Sequence, residues 1–400
     1  MFKNYSKDQR RVLLGACLYY MGLGGFLFNS QTSVLAAVRS LYQFPMTRIS
    51  LYTTIGYVAT ILGATLMGPM IFRLSQKKKK LYFEGMYLCG AAGILILAFF
   101  AETPLFYLAR FLMSLSVSTI SIIISYILNQ WIQVRTGTAI GIASAFAGVG
   151  GMLSNPLSAF LFETFSFQKG IVILVLLSAC LEIPSFFLLF RKPVPEGIPV
   201  KPGRKDTAET DETGSSLLVL IILGILISGG RLASLFTSYL SMFSQSIGYS
   251  ASFGATLASI LMFGNISSKF MYGFLSDQVG VWKATMATQL CVIIGVALFI
   301  FMPGYPLLLC LGTLGYGMMY GLFTVAINRM CMASFGFSGT KKYQGLLTGL
   351  ASLAGAAASP LIGIIYDRTG SFTSLFAALL VLMIVCFVLT GVMAKLRSEH

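Results

Sequence analysis

Apolar residues come in runs of about twenty or more, separated by short polar breaks. The runs fall at 11–36, 46–72, 81–101, 104–128, 138–162, 168–190, 216–243, 251–275, 283–303, 306–333, 344–366 and 372–394. A helix needs roughly 20 mostly apolar residues to cross the hydrocarbon core of a bilayer, so each run has the length of one crossing. Backbone amides and carbonyls in lipid must bond within their own segment, which excludes an open sheet and leaves a helical bundle. The pattern therefore predicts an all-α membrane protein of twelve transmembrane helices. Composition agrees: 56% of the 400 residues are hydrophobic and only 10% are charged, against about a quarter charged in a soluble domain. The first run is too long and too lightly bounded for a cleaved signal, and is expected to remain as the first crossing.

Between 191 and 215 the hydrophobicity collapses into RKPVPEGIPVKPGRKDTAETDETGS, rich in proline, charge and small polar residues. Such a segment reads as a flexible cytoplasmic linker. It separates an N-terminal six-helix half, 1–190, from a C-terminal six-helix half, 216–400.

The halves repeat one another. In the fifth span GIASAFAGVGGMLSNPLSAFLFE and the eleventh GLLTGLASLAGAAASPLIGIIYD, glycine stands fifteen and five residues before proline: Gly141 and Gly151 before Pro156, Gly345 and Gly355 before Pro360. Leucine follows each proline, and an acid lies seven residues beyond it, Glu163 and Asp367. Gly68 and Gly273 recur at nearly the same offset. Small residues at these spacings let helix backbones approach, so Gly141, Gly151, Gly345 and Gly355 are expected to form packing faces. Internal repeats of this kind are frequent among transporters.

The formal net charge is +15, which in a soluble chain would suggest nucleic acid. Here its distribution matters more. Lys3, Lys7, Arg10, Arg11, Arg73, Lys77 to Lys80, Arg135, Arg191, Lys192, Lys201, Arg204, Lys205, Lys283, Lys341, Lys342, Lys395 and Arg397 all fall at the termini or in alternate connections. The other connections hold only Arg39, Arg48, Lys169 and Arg368. The positive-inside rule then places both termini in the cytoplasm, with the protein in the cytoplasmic (inner) membrane. Lys77 to Lys80 read as topology determinants in contact with anionic lipid. Nucleic acid is not an expected partner.

The seven cysteines sit singly, without zinc-site or redox spacing, and the one histidine is His400. A histidine base and a histidine-centred metal site are excluded, as is a Ser/His/Asp set. No phosphate-binding Gly-x4-Gly-Lys-Ser/Thr motif is present, which argues against direct ATP drive. No enzyme activity, metal or cofactor is expected.

Gly273-Phe-Leu-Ser-Asp277-Gln-Val-Gly280, continuing to Lys283, resembles the signature loop of the major facilitator superfamily. Its first-half counterpart is degenerate: Gly68 and Arg73 remain, but Phe72 replaces the acid and Ser75 the second glycine. Asn129-Gln-Trp131-Ile-Gln-Val-Arg135-Thr-Gly137-Thr-Ala139-Ile-Gly141-Ile-Ala143 resembles the loop before helix five in monocarboxylate transporters and oxalate/formate antiporters. Gly349 to Pro360 resembles that group's small-residue helix eleven. The resemblance implies the major facilitator fold, with two pseudo-symmetric six-helix halves that rock about a substrate held near mid-membrane.

A charge at mid-bilayer costs about 2.5–3.5 kcal/mol on insertion scales, so each one needs a partner, a water-filled cavity or a task. Arg110, Arg231, Lys269 and Arg329 are basic residues within spans; Glu182 is the one acid well inside a span. The net positive interior favours an anionic substrate. Lys269 lies eight positions before Asp277, where the resembled transporters carry a substrate-binding arginine, and is the first candidate anion ligand; an interfacial lysine is the other reading. Arg231 heads a stripe of Ser234, Ser238, Ser241 and Gln245 expected to face a cavity, or else makes an interhelical pair. Gly22, Phe26, Asn29 and Ser33 on the first helix, and Tyr316, Tyr320, Thr324 and Asn328 on the tenth, are candidate pathway positions. Asn29, Tyr316 and Tyr320 join Lys269 and Arg231 as substrate candidates. Asp277 and Lys283 are expected at a cytoplasmic gate, with Arg329 near it. Arg110, above Ser114, Ser118, Ser121 and Ser125, is expected to be structural, and Glu182 a structural partner or a proton carrier.

The expectation is a secondary transporter of a small organic anion, a monocarboxylate or related acid, working as a monomer by exchange or proton-linked symport. Its partners would be that anion and membrane lipid. The alternatives are a proton-coupled exporter of drug-like amphiphiles and a transporter-like sensor without net flux.

Overall fold

The computed structural model describes residues 5–63, 74–132, 136–192 and 217–398. Every regular element among them is helical. Gly68, Phe72, Arg73, Arg135, most of the linker and His400 lie outside the described residues; the side chains at Asn328 and Gly345 do too. Two compact units divide the chain: residues 1–42 with 55–207, and residues 43–54 with 208–400.

In the first unit, α1 (Lys7–Tyr19) opens on a capping box: Gln9 N donates to Ser6 Oγ at 3.3 Å, and Ser6 N donates to Gln9 Oε1 at 2.9 Å. The chain then widens without a break into a π-helical stretch, Tyr20–Asn29, before α2 (Gln31–Tyr42). The first predicted span is thus one pass wound in three ways. Next come α3 (Met46–Leu62), of which residues from Ile55 belong to this unit, and α4 (Gln76–Phe100), α5 (Leu105–Trp131), α6 (Thr136–Thr164) and α7 (Phe167–Phe190).

The π stretch is held by α6. An ideal Cβ on Gly25 would sit 2.5 Å from Gly150 Cα, and one on Gly150 would sit 2.6 Å from Met21 O, so only two glycines allow this crossing. Polar side chains then tie the widened backbone down. Asn29 Nδ2 donates to Ala147 O (2.8 Å), Ser154 Oγ to Gly25 O (3.1 Å), Asn155 Nδ2 to Asn29 O (3.2 Å) and Ser33 Oγ to Asn155 Oδ1 (2.9 Å). Such interhelical bonds contribute about 0.6–2 kcal/mol each in a membrane.

The second unit contains α8 (Leu217–Ala233), a 3₁₀ stretch Ser234–Tyr239, α9 (Leu240–Ser246), α10 (Ala251–Val279), α11 (Val281–Phe301), α12 (Pro306–Gly317), α13 (Met319–Thr369) and α14 (Phe372–Ser398). Gly280, at φ +88°, makes the reversal between α10 and α11, a backbone region that L side chains rarely adopt. The polar break expected between the tenth and eleventh spans does not interrupt the helical bonding, which runs through all 51 residues of α13. Phenylalanines fill the core: ring centroids of Phe243 and Phe376 are 4.8 Å apart, Phe299 and Phe376 5.1 Å, and Phe299 and Tyr316 5.7 Å.

The opening of α3 packs in this unit. Asp367, in the last turns of α13, accepts from Met46 N (2.6 Å) and Thr47 N (2.7 Å) and from the Thr47 hydroxyl. It thereby satisfies donors that a helix start leaves open, with a charge the helix dipole favours. Ser359 Oγ donates to Ser50 O at 2.8 Å one turn further along.

Among the described residues, nine helical segments are long and apolar enough to cross a membrane. The 29-residue α10 has the length with a more polar composition, α5 spans 27 residues of which Leu105–Ile120 is apolar, and α3 is described for 17 residues. The most apolar helices, α7 and α14, are among the least buried, and large side chains such as Leu88, Phe187, Phe274, Phe301 and Val381 are exposed. A soluble monomer does not show so much apolar surface; lipid is the solvent that accepts it.

Two outcomes are expected. Gly25→Val should prevent α6 from closing on the π stretch and lower the melting temperature of purified protein well below that of Gly85→Val, since a Cβ on Gly85 meets nothing within 4 Å. Asp367→Ala should remove about 0.5–2 kcal/mol of helix-start stabilisation, read as faster amide exchange at Met46 and Thr47, whereas Asp367→Asn should retain part of the protection.

Candidate functional site

Lys269 lies four residues past the midpoint of the 29-residue α10, an axial offset of only about 6 Å. A lysine stem reaches several ångströms further along the helix, so this position suits an ammonium facing a cavity and equally one that snorkels towards the interface. The side chain is partly exposed within its unit, and its ammonium makes no ion pair or hydrogen bond with any described residue. Its neighbour Ser268 is buried, and Ser268 O lies 3.0 Å from where a Cβ on Gly321 would be. This α10–α13 contact brings Lys269 and Tyr320, the residues next to each member, to the same level of the unit.

From Tyr320 the cluster continues to Arg231. The Tyr320 and Phe323 rings are 5.2 Å apart, and the Arg231 guanidinium carbon is 5.4 Å from the Phe323 ring centroid. Stacking on an aromatic face suits guanidinium. Tyr316 belongs elsewhere. It is fully buried, and its hydroxyl donates to Ala233 O at 2.5 Å, so it is a core residue and not a pathway one. The accepting carbonyl stands where α8 gives way to the 3₁₀ stretch, whose shifted bonding leaves a carbonyl in need of a donor.

That stretch also overturns the expected serine stripe. A 3₁₀ helix turns 120° per residue against 100° in an α-helix, so six residues rotate everything beyond them by about 120°. Ser241 is consequently buried and donates to Gly254 O at 3.0 Å, and Ser234 turns back to Arg231 O. The first pass differs from expectation for the same kind of reason. In the π winding, Gly22 faces Glu182, while Asn29 and Ser33 spend their donors on α6. Phe26 is buried as well.

Two of the charges expected at or near a gate pair with each other. Asp277 Oδ1 pairs with Arg329 Nη2 at 2.8 Å, joining α10 to α13. Both side chains are about half exposed, at 62% and 45%. Lys283 is exposed and takes no part in this pair. Arg110, on α5, lies with its guanidinium carbon 4.9 Å from the Phe28 ring centroid and its Nε against Gly56. Glu182 is 5% exposed on α7, and neither carboxyl oxygen has a hydrogen-bond partner.

Among the predicted packing residues, Gly355 is buried, while a Cβ on Gly141 would meet nothing within 4 Å. The tight crossing falls on Gly150, because the π winding turns Gly25 towards that residue. Gly151 instead offers its carbonyl to Asn155 Nδ2 at 2.7 Å. Pro156 and Pro360 both sit inside helices. Asn155 and Phe323 were not singled out from sequence. An asparagine directly before a proline in an apolar run was a usable signal for the first; nothing distinguished the second from 31 other phenylalanines. No group of three or more potential metal ligands occurs among the described residues.

The sequence matches the Major Facilitator Superfamily over residues 12–338. Human monocarboxylate transporter 11 is 25% identical over 269 residues, covering 62% of this chain and 54% of that protein. The Aspergillus niger MFS-type transporter pynF is 21% identical over 370 residues, covering 88% and 80%. The chain thus spans about half the length of the monocarboxylate transporter it matches. Among solved structures, the nucleoside transporter NupG superposes with a TM-score of 0.74 at 16% identity, over 98% of this chain and 100% of that one. A bacterial homolog of the human lysosomal transporter Spinster gives 0.72 at 15% identity, over 98% of each. At such identities the structural likeness speaks for the fold, and the family match speaks for descent. With a helical membrane fold and that match, the chain belongs to the Major Facilitator Superfamily, as a multi-pass membrane protein resembling the monocarboxylate transporter branch.

Proposed function

We propose that this transporter carries a small organic anion, a monocarboxylate or related acid, by alternating access, and that Lys269 is its principal anion ligand. The observation that carries the proposal is an ammonium near the middle of α10 with no counter-ion among the described residues. A cation at that depth is tolerated where water reaches it, and a carboxylate replacing that water supplies a charge-assisted bond. Tyr320 and Arg231, at the same end of the aromatic cluster, would orient the anion or supply a second contact. The similarity to a protein named as a monocarboxylate transporter supports the substrate class. The distribution of basic residues supports a cytoplasmic membrane location with both termini inside. Membrane lipid is the surrounding partner, and a monomer suffices for function.

Lys269→Gln should weaken binding of a labelled short monocarboxylate by about 100-fold or more, since the anion would be desolvated without a counter-ion, a penalty of several kcal/mol. Membrane insertion should be unimpaired, because a neutral side chain is cheaper to bury. Lys269→Arg should keep part of the activity, with guanidinium offering a planar fork in place of a point charge. Counterflow and binding in proteoliposomes at matched expression measure both. Near-normal affinity in Lys269→Gln would overturn the assignment and move the anion site to Arg231.

Asp277→Asn should change the melting temperature little, because a half-exposed ion pair contributes about 0–1 kcal/mol. Its effect should instead fall on the balance of states: cysteines introduced along the cytoplasmic half of α10 should label faster from the cytoplasmic side. Unchanged labelling would remove Asp277 from the gate.

A further inference from the structure

Glu182 has no part in the anion site, and it is the most anomalous side chain in the first unit. It lies about four residues past the midpoint of the 24-residue α7, roughly 5 Å from mid-helix. It is 95% buried, and neither oxygen has a hydrogen-bond partner. Among the described residues no cation pairs with it. The charged side chains of the helices packed on α7 lie away from the carboxyl: Lys7, Asp8, Arg10 and Arg11 of α1 and Lys77 to Lys80 of α4 fall at the ends near Lys192 and Phe190, and Glu84 is exposed. From α1, Tyr19 comes near with a hydroxyl that donates to Phe83 O at 3.5 Å. From α4, Tyr87 lies beside Ser178 and within electrostatic range of the carboxyl. The π stretch contributes Gly22, where an added Cβ would lie 3.2 Å from Glu182 Oε2 and 3.3 Å from Ser178 O. The only titratable side chain of α6 is Glu163, exposed at that helix's far end. The Tyr87 hydroxyl and Ser178 Oγ, like the carboxyl, are buried without hydrogen-bond partners.

We propose that Glu182 is an intramembrane proton-binding site, and that gain and loss of its proton act on the π-helical stretch of the first membrane pass through Gly22. An ionised carboxylate in this pocket would be an uncompensated buried charge, which proteins avoid by holding the proton. The resting group is therefore the neutral acid, for which Ser178 and Tyr87 supply oxygens at the right place. On deprotonation the proton leaves to water admitted from one side, and the carboxylate then needs donors. The two orphan hydroxyls can turn towards it. The backbone best able to rearrange around it is the stretch Tyr20–Asn29, since its bonding already departs from the α pattern and Gly22 puts no side chain between it and the carboxyl. A structural acid would have a fixed partner; this one has none among the described residues, with the neighbouring Tyr87 and Ser178 hydroxyls beside each other and a glycine on an irregular helix facing it.

The test needs no transport substrate, so it stands or falls apart from the anion proposal. Purified full-length protein in lipid nanodiscs is titrated while infrared difference spectra follow the carbonyl stretch of a protonated carboxylic acid. Amide exchange at Tyr20–Asn29 is read in parallel by mass spectrometry. A protonated-acid band should be present at neutral pH and vanish in Glu182→Gln. Exchange in the π stretch should rise in the wild type as the band titrates away, and stay low and independent of pH in Glu182→Gln, whose amide mimics the neutral acid. A band unchanged in Glu182→Gln would overturn the proposal. So would wild-type exchange that does not follow the band, a result that requires no variant to fold.

Discussion

The structure depends throughout on one constraint: within hydrocarbon, a polar group has no solvent to bond and must find its partner in the protein. Hydroxyls show the simplest response, bending back to a carbonyl three or four residues earlier, as in Thr53, Thr60, Ser116, Thr288, Thr313 and Thr390. Longer side chains bond across helices, and they gather where the winding departs from the α form. Asn29, Ser154 and Asn155 serve the π stretch, and Tyr316 serves the start of the 3₁₀ stretch. Irregular winding and buried polar side chains therefore occur together, because each makes the other tolerable.

That coupling explains what could be read from the sequence and what could not. Run length and apolarity gave the crossings, since the bilayer imposes them directly. The ion pair of Asp277 with Arg329 came from two residues flagged separately, although neither spacing nor pattern paired them. Face assignments on the first and seventh passes failed, because a helical wheel assumes 100° per residue throughout. Gly22, Asn29, Ser33 and Ser241 were placed on cavity faces by that assumption and lie in packed interfaces instead. The glycine pair was missed narrowly for the same reason: the repeat drew attention to Gly151, and the π winding selects Gly150.

Charged residues divide by the company they keep. Arg110 is packed on Phe28 and Gly56, and Arg329 has an acid. Lys269 in one unit and Glu182 in the other have neither.

The winding anomalies have a further consequence for symmetry. Gly24-Gly25 on the first pass and Gly229-Gly230 on the seventh correspond at the repeat offset, yet the first lies within an under-wound stretch, Tyr20–Asn29, and the second just precedes an over-wound one, Ser234–Tyr239. Beyond these points the two related helices run out of phase with each other. Residues that are homologous by descent no longer share an orientation, so two copies of one ancestral sequence can present unlike walls without exchanging a single side chain. Divergence in this protein has been written partly in the pitch of its helices and not only in their letters.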